Sequence, residues 1–210
     1  MDRTLVLAGA TSDAGLTTAR ALLAAGARVV ATGRSAERLA PLTDAGAETI
    51  VADATSYDAM TEVADRIGPV DAVIPLVGGW RGGGGLAGQS DEDFAALLPA
   101  LHAVRATSRA FDAALRTADA GRFAIVSSTA VDRPLAGGAN YASVKAAAEA
   151  WTRAVAQGYA KAARDAGEPL RAASVVFRAH GELQADALAR AVIGLWDADA
   201  DALNDTIVAL

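Results

Sequence analysis

The chain contains no cysteine, which excludes disulfides, thiolate catalysis and cysteine-zinc sites. Its two histidines, His102 and His180, lie far apart and show no ligand spacing, so no metal site is expected. It has no cluster of lysine and arginine, and its net charge is −6. A surface that binds duplex must neutralise phosphates, so neither nucleic acid nor anionic membrane is an expected partner. No uncharged apolar run approaches the ~20 residues that span a bilayer. Met1-Asp2-Arg3 passes straight into an apolar run, without the longer apolar core and cleavage site of a signal peptide. By elimination, the expected location is cytoplasmic.

What remains is a chain of 210 residues, 52% hydrophobic and 21% charged, which reads as globular. Much of the apolar excess is alanine, a strong helix former. Short apolar runs alternate with alanine-rich segments. Strands are expected at residues 4–8, 28–32, 48–52, 71–77, 122–127, 170–177 and 205–210. Helices are expected at 14–25, 36–45, 57–67, 91–118, 141–166 and 185–196, with Pro99 as a candidate kink. Such alternation predicts an α/β fold with a doubly wound parallel sheet of about seven strands, helices on both faces. No linker or repeat divides residues 1–210, so one domain is expected. Ligands in such sheets bind beyond the C-terminal ends of the strands.

At that edge, after the first strand, stands Gly9-Ala10-Thr11-Ser12-Asp13-Ala14-Gly15-Leu16. Gly9 suits a tight turn and Gly15 a close packing of helix on strand, while the following helix N-terminus attracts phosphate. Asp13 is awkward beside a phosphate; the plain alternative is that it caps the helix. Arg34 follows the second strand, where an acid would hold the ribose 2′-hydroxyl of NAD; arginine there suits the 2′-phosphate of NADP. NADP(H) is therefore favoured, with NAD(H) as the alternative, and a solvated loop arginine as the reading without function. Tyr141-Ala142-Ser143-Val144-Lys145 puts a phenol and an ammonium on one helix face. A neighbouring positive charge lowers a tyrosine pKa towards the working range, which suits proton transfer. Ser127 and Ser128 end the fifth strand at the same edge.

Together the turn, the serines and the tyrosine–lysine pair resemble the short-chain dehydrogenase/reductase family, a Rossmann-type fold, over nearly the whole chain up to the sixth strand. In the turn, Gly9 and Gly15 match the family and Asp13 stands in for its middle glycine. Ser128 lies 13 positions before Tyr141, the family's separation. The resemblance implies hydride transfer between a nicotinamide and a carbonyl or alcohol substrate. Tyr141 is then the general acid/base, Lys145 its partner and ribose contact, and Ser128 the group that orients the substrate oxygen, with Ser127 as the fallback. Gly9, Thr11, Ser12, Asp13, Gly15, Leu16, Arg34, Asp53, Ala54, Gly78, Tyr141 and Lys145 would hold the cofactor. Asp53 would bond the adenine amino group, or else cap a helix. The family's pairing of long helices implies a homodimer or homotetramer.

The chain departs from the family in several places. Pro75-Leu76-Val77-Gly78 replaces Asn-Asn-Ala-Gly, keeping only Gly78. Ala100-Leu101-His102 lacks the family's helical asparagine, which His102 could replace unless it is a surface histidine. Val176-Phe177-Arg178-Ala179-His180-Gly181 lacks the Pro-Gly after the sixth strand, and the substrate-covering insertion is missing. The loop Gly78–Gly85, with Trp80 and Arg81, could close over the site instead, or have no role. Two rival functions follow: a catalytically weak nucleotide-binding regulator, or a non-redox isomerase or dehydratase on the same fold.

Overall fold

The structure, a computed structural model, describes residues 2–210. Seven strands form one parallel sheet in the order β3-β2-β1-β4-β5-β6-β7. They are β1 (Thr4–Ala8), β2 (Arg28–Gly33), β3 (Glu48–Val51), β4 (Ala72–Pro75), β5 (Arg122–Ser128), β6 (Ala173–Ala179) and β7 (Thr206–Ala209). The helices are α1 (Asp13–Ala24), α2 (Ala36–Asp44), α3 (Tyr57–Ile67), α4 (Asp91–Ala110), α5 (Asp112–Thr117), α6 (Ala139–Ala166), α7 (Ala185–Ile193) and α8 (Ala200–Leu203).

The two-residue period of the strands builds two cores. Val6, Val30, Val73, Phe123, Ile125 and Val176 pack on one face with residues of α3, α4 and α6. Leu5, Leu7, Val29, Ile74, Val175 and Phe177 pack on the other with residues of α1, α2 and α7. Both sides of the central strands are thus dry, which explains their nearly continuous apolar sequence. Four helices start from a serine whose hydroxyl accepts an N–H of the first turn: Ser12 for α1, Ser35 for α2, Ser56 for α3 and Ser90 for α4. Gly167 ends α6 in the left-handed conformation at φ 68°.

Four expectations need correction. The helix expected over residues 91–118 is divided at Phe111 into α4 and α5, with Pro99 inside α4. Phe111 is fully buried, and the chain turns there to bring its ring into the core. β4 stops at Pro75, which pairs with Ala8 of β1 but, lacking an N–H, adds no bond on the β5 side, where pairing ends at Val73. β6 starts and ends later than residues 170–177, carrying Arg178 and Ala179 into register with Ser127 and Ser128. The short helix α8 has no counterpart among the expected elements.

Arg122 is buried at the start of β5. Its guanidinium donates to the carbonyls of Leu195, Gly121, Arg171 and Ala198 at 2.8–3.2 Å. It thereby fixes the chain after α7 and the segment just before β6 to the start of β5. Arg122→Leu strips these buried acceptors of their donors, and is expected to lower unfolding free energy by about 3 kcal/mol, measured by urea denaturation.

Candidate active site

The strand order reverses between β1 and β4, and a cleft of about 1370 Å³ opens beyond their C-terminal ends. It runs from Ser12, Asp13 and Ala14 at the start of α1, past Gly78 and Ser128, to Tyr141 and Lys145 on α6. Trp80, Leu135 and Leu183 contribute to its wall.

The turn into α1 needs glycine at two positions for its own packing. Gly9 has φ 78°, and a Cβ there would come within 2.5 Å of the Val77 side chain. A Cβ on Gly15 would meet the Ala10 carbonyl oxygen at 2.2 Å. Ser12, not Asp13, caps α1: its hydroxyl accepts the Gly15 N–H at 3.2 Å. Asp13 is instead the first helical residue and lines the cleft. The N–H groups of Asp13 and Ala14 have no acceptor inside the helix, as at any helix start.

The remaining expected cofactor residues stand at the same sheet edge but outside the cleft wall. Arg34 is exposed just beyond β2. Arg38, which the sequence reading did not single out, reaches back so that its guanidinium donates to the Thr11 carbonyl at 3.4 Å. It lies in the first turn of α2, whereas Arg34 precedes the Ser35 cap and is outside the helix, so their spacing alone does not bring them together. Asp53 is not a helix cap, since Ser56 caps α3; its carboxylate accepts from the N–H and hydroxyl of Thr55 at 2.9 and 2.8 Å. Ala54 is buried in the core on the α3, α4 and α6 face, and Leu16 packs against the core on the opposite face.

At the other end of the cleft the two serines have different partners. Ser127 is buried, and its hydroxyl donates to Glu149 at 2.6 Å. The Ser128 oxygen accepts the Ala130 N–H at 3.2 Å and faces Tyr141. Burial pushes the Tyr141 phenol above its usual pKa, and the Ser128 hydroxyl offsets part of the rise. The lowering expected from Lys145 is therefore not what the structure holds. Lys145 donates to the Val126 carbonyl at 2.8 Å and sits 5.6 Å from the Tyr141 ring centroid. Burial of its ammonium lowers Lys145 to about 8, against the opposing charge of Glu149.

The glycine-rich loop is fastened down. Gln89 donates to the carbonyls of Gly83, Gly85 and Gly137 at 3.0–3.3 Å and accepts the Asn140 N–H at 3.1 Å. Asn140 immediately precedes Tyr141, so the loop carrying Trp80 is tied to the start of the helix that carries the phenol. His102, the candidate replacement for the missing asparagine, is an exposed residue of α4. Among the described residues no group of three or more histidines and acids could hold a metal ion. No helix among them is long and apolar enough to cross a membrane.

Comparison with known proteins agrees with this architecture. The profile of the short chain dehydrogenases matches residues 3–163. No curated protein matches the chain. Levodione reductase shares the fold at 19% identity and TM-score 0.84, over 100% of this chain and 96% of its own. A gluconate 5-dehydrogenase from Burkholderia cenocepacia, in complex with NADP and tartrate, shares it at 22% identity and TM-score 0.83, over 100% and 94%. An actinorhodin polyketide ketoreductase variant with NADPH does so at 20% identity and TM-score 0.81, over 100% and 95%. These identities speak for the fold alone, but the profile spans most of the chain, from β1 into α6, and the chain belongs to the short-chain dehydrogenase family.

Proposed function

We propose that the protein is a nicotinamide-dependent oxidoreductase that reduces a carbonyl compound, with NADP(H) preferred over NAD(H). The observation that carries this reading is the meeting of Ser128, Tyr141 and Lys145 in the cleft that begins at the α1 turn. The residues present fit a dinucleotide: Gly9 and Gly15 place no side chain at the turn into α1, whose helix start would take the phosphates, and Gly78 leaves the floor open beside Lys145. Gly9, Thr11, Ser12, Asp13, Gly15, Leu16 and Gly78 would hold its central part, Asp53 and Ala54 its adenine end, and Arg34 a 2′-phosphate. When bound, such a cofactor supplies a hydride to the substrate's carbonyl carbon.

The chain's own groups supply the rest. Ser128 donates a hydrogen bond to the carbonyl oxygen, stabilising the negative charge that develops there. Tyr141 transfers its proton to that oxygen, leaving an alcohol, and the Lys145 ammonium stabilises the phenolate left behind. The Val126 carbonyl holds the lysine in place. A phenol whose pKa is raised is protonated at neutral pH, so it is poised to give a proton and not to take one. Reduction needs both the phenol and the ammonium, and oxidation needs the phenolate. Reductive turnover is therefore expected to fall as pH rises through about 8, where Lys145 loses its proton, while alcohol oxidation should rise only at higher pH, where the Tyr141 phenol ionises. Initial rates in both directions across pH 6–10 would check the sign.

A panel of ketones and aldehydes assayed with NADPH and with NADH tests the reading. Turnover that is faster with NADPH is the expected result. Asp13 is the observation that favours a catalytically weak nucleotide-binding protein, because it adds an acidic side chain to the cleft wall at the start of α1, where the helix would attract phosphate. Tight cofactor binding without turnover across the panel would select that reading. A cytoplasmic, homodimeric or homotetrameric enzyme of one domain, acting on a small molecule, completes the proposal. The exposed alanines of α6, Ala146, Ala147, Ala150 and Ala154, would allow close approach of a second copy.

A further inference from the structure

Glu149 lies on α6 one turn beyond Lys145 and is only 5% exposed. A buried carboxylate is costly unless charge and hydrogen bonds match it. Ser127 donates to its Oε1 at 2.6 Å, and Arg178 donates from Nε to Oε1 at 2.9 Å and from Nη2 to Oε2 at 2.6 Å. The same guanidinium donates from Nη1 to both carboxylate oxygens of Asp132, at 2.7 and 2.8 Å. Arg178 stands opposite Ser127 in the β5–β6 register. One side chain thus joins the helix of Tyr141 and Lys145 to the loop after β5, whose Arg133 and Leu135 line the cleft.

Such an ion cluster is a poor way to gain stability, because well-packed apolar groups usually serve as well or better. Its position suggests another task. Lys145 is held by a neutral carbonyl, so its charge state depends on the ionic groups around it. Tyr141 and Glu149 lie on its own helix, Arg178 and His180 on and just after β6, Asp132 and Arg133 on the loop after β5, and Asp13 at the start of α1. Of these, Glu149 is the anion that counteracts the burial of the lysine. Its carboxylate is shared with Arg178, and the Arg178 charge is in turn shared with Asp132.

We propose that Glu149 and Arg178 are positioning residues for Lys145: the buried carboxylate favours the ammonium, the guanidinium limits that influence, and its grip on Asp132 holds the cleft loop in register with the catalytic helix. The proposal rests on the oxidoreductase reading only for its purpose. Its test does not depend on turnover.

The chain has two lysines, Lys145 and Lys161. Lys161 is exposed, pairs with Asp165 near the far end of α6, and serves as an internal reference. Protein labelled with ¹³C at lysine Cε would be titrated by NMR as wild type, Glu149→Gln, Arg178→Gln and Arg178→Lys. In Glu149→Gln the Lys145 midpoint should fall by about one pH unit, and in Arg178→Gln it should rise by a similar amount. Arg178→Lys should stay near wild type, and Lys161 should not move. Opposite shifts are not produced by general loosening of the fold. If Lys145 stays put in both neutralising variants, or moves the same way in both, the proposal is overturned. If Glu149→Gln does not fold, Arg178→Gln against Arg178→Lys decides by the same rule. NADPH turnover measured in parallel separates the two ideas. Shifted midpoints without wild-type turnover would remove the oxidoreductase reading alone, whereas turnover with unmoved midpoints would remove this proposal alone.

Discussion

Tyr141→Phe is expected to lower carbonyl reduction by about a thousandfold while leaving NADPH affinity within about twofold of wild type. The substitution removes one oxygen from a half-buried ring and keeps the ring's contacts with Leu97, Ala100 and Val144. Folding and the cofactor turn, which lies across the cleft at α1, should therefore be undisturbed. What disappears is the only phenol that lines the cleft among the described residues. A proton from water could still reach the substrate oxygen, but without orientation, which is why a small residual rate is expected. The pair of measurements needed is turnover on the best substrate of a carbonyl panel and NADPH titration by fluorescence. Loss of both together would mean that the variant damages the site broadly and that the proton-transfer role is not established.

Ser128→Ala is expected to cost about a hundredfold in kcat, and Ser127→Ala less than about tenfold. Adjacent in sequence and alike in chemistry, these residues point to opposite sides of β5, as successive strand residues must. Ser128 faces the cleft and the Tyr141 phenol, so its loss removes a donor aimed at the reacting oxygen. Ser127 has committed its hydroxyl to Glu149 at 2.6 Å. Its loss takes away one of three hydrogen bonds to a carboxylate that Arg178 still grips with two. Stability should suffer more than chemistry: Ser127→Ala is expected to lower the unfolding midpoint, whereas Ser128→Ala should leave it nearly unchanged. Equal effects of the two on kcat would contradict this division.

Much of the fold was legible because its signals are local. Ser12, Ser35, Ser56 and Ser90 each stand where a hydroxyl can take a first-turn N–H. The runs that became β1, β2 and β5 are apolar on both faces because helices cover both faces. The break at Phe111 was not legible, since nothing in Ser108-Arg109-Ala110-Phe111 ends a helix; the turn comes from the pull of the core on one large ring. Tyr141 and Lys145 could be paired from their spacing alone. The effect of one on the other could not, because burial dominates both and depends on Val126 and Gly78, distant in sequence. Least legible was Arg178. Its sequence neighbours give no sign of the partners Glu149 and Asp132, which lie 29 and 46 residues away and meet it only when β6 docks beside β5. The loss of the Pro-Gly pattern was visible there, but not what the arginine does in its place.

The account depends most on hydride transfer itself, and label transfer tests that most directly. NADPH carrying deuterium at the reactive C4 position would be supplied with the best substrate of the carbonyl panel, and the product examined by mass spectrometry and NMR. Deuterium on the new carbinol carbon, in step with NADPH consumed and nearly abolished in Tyr141→Phe, is the predicted result. Substrate converted with no deuterium in the product and no NADPH oxidised would contradict it, and would make the protein a non-redox enzyme on a dehydrogenase fold.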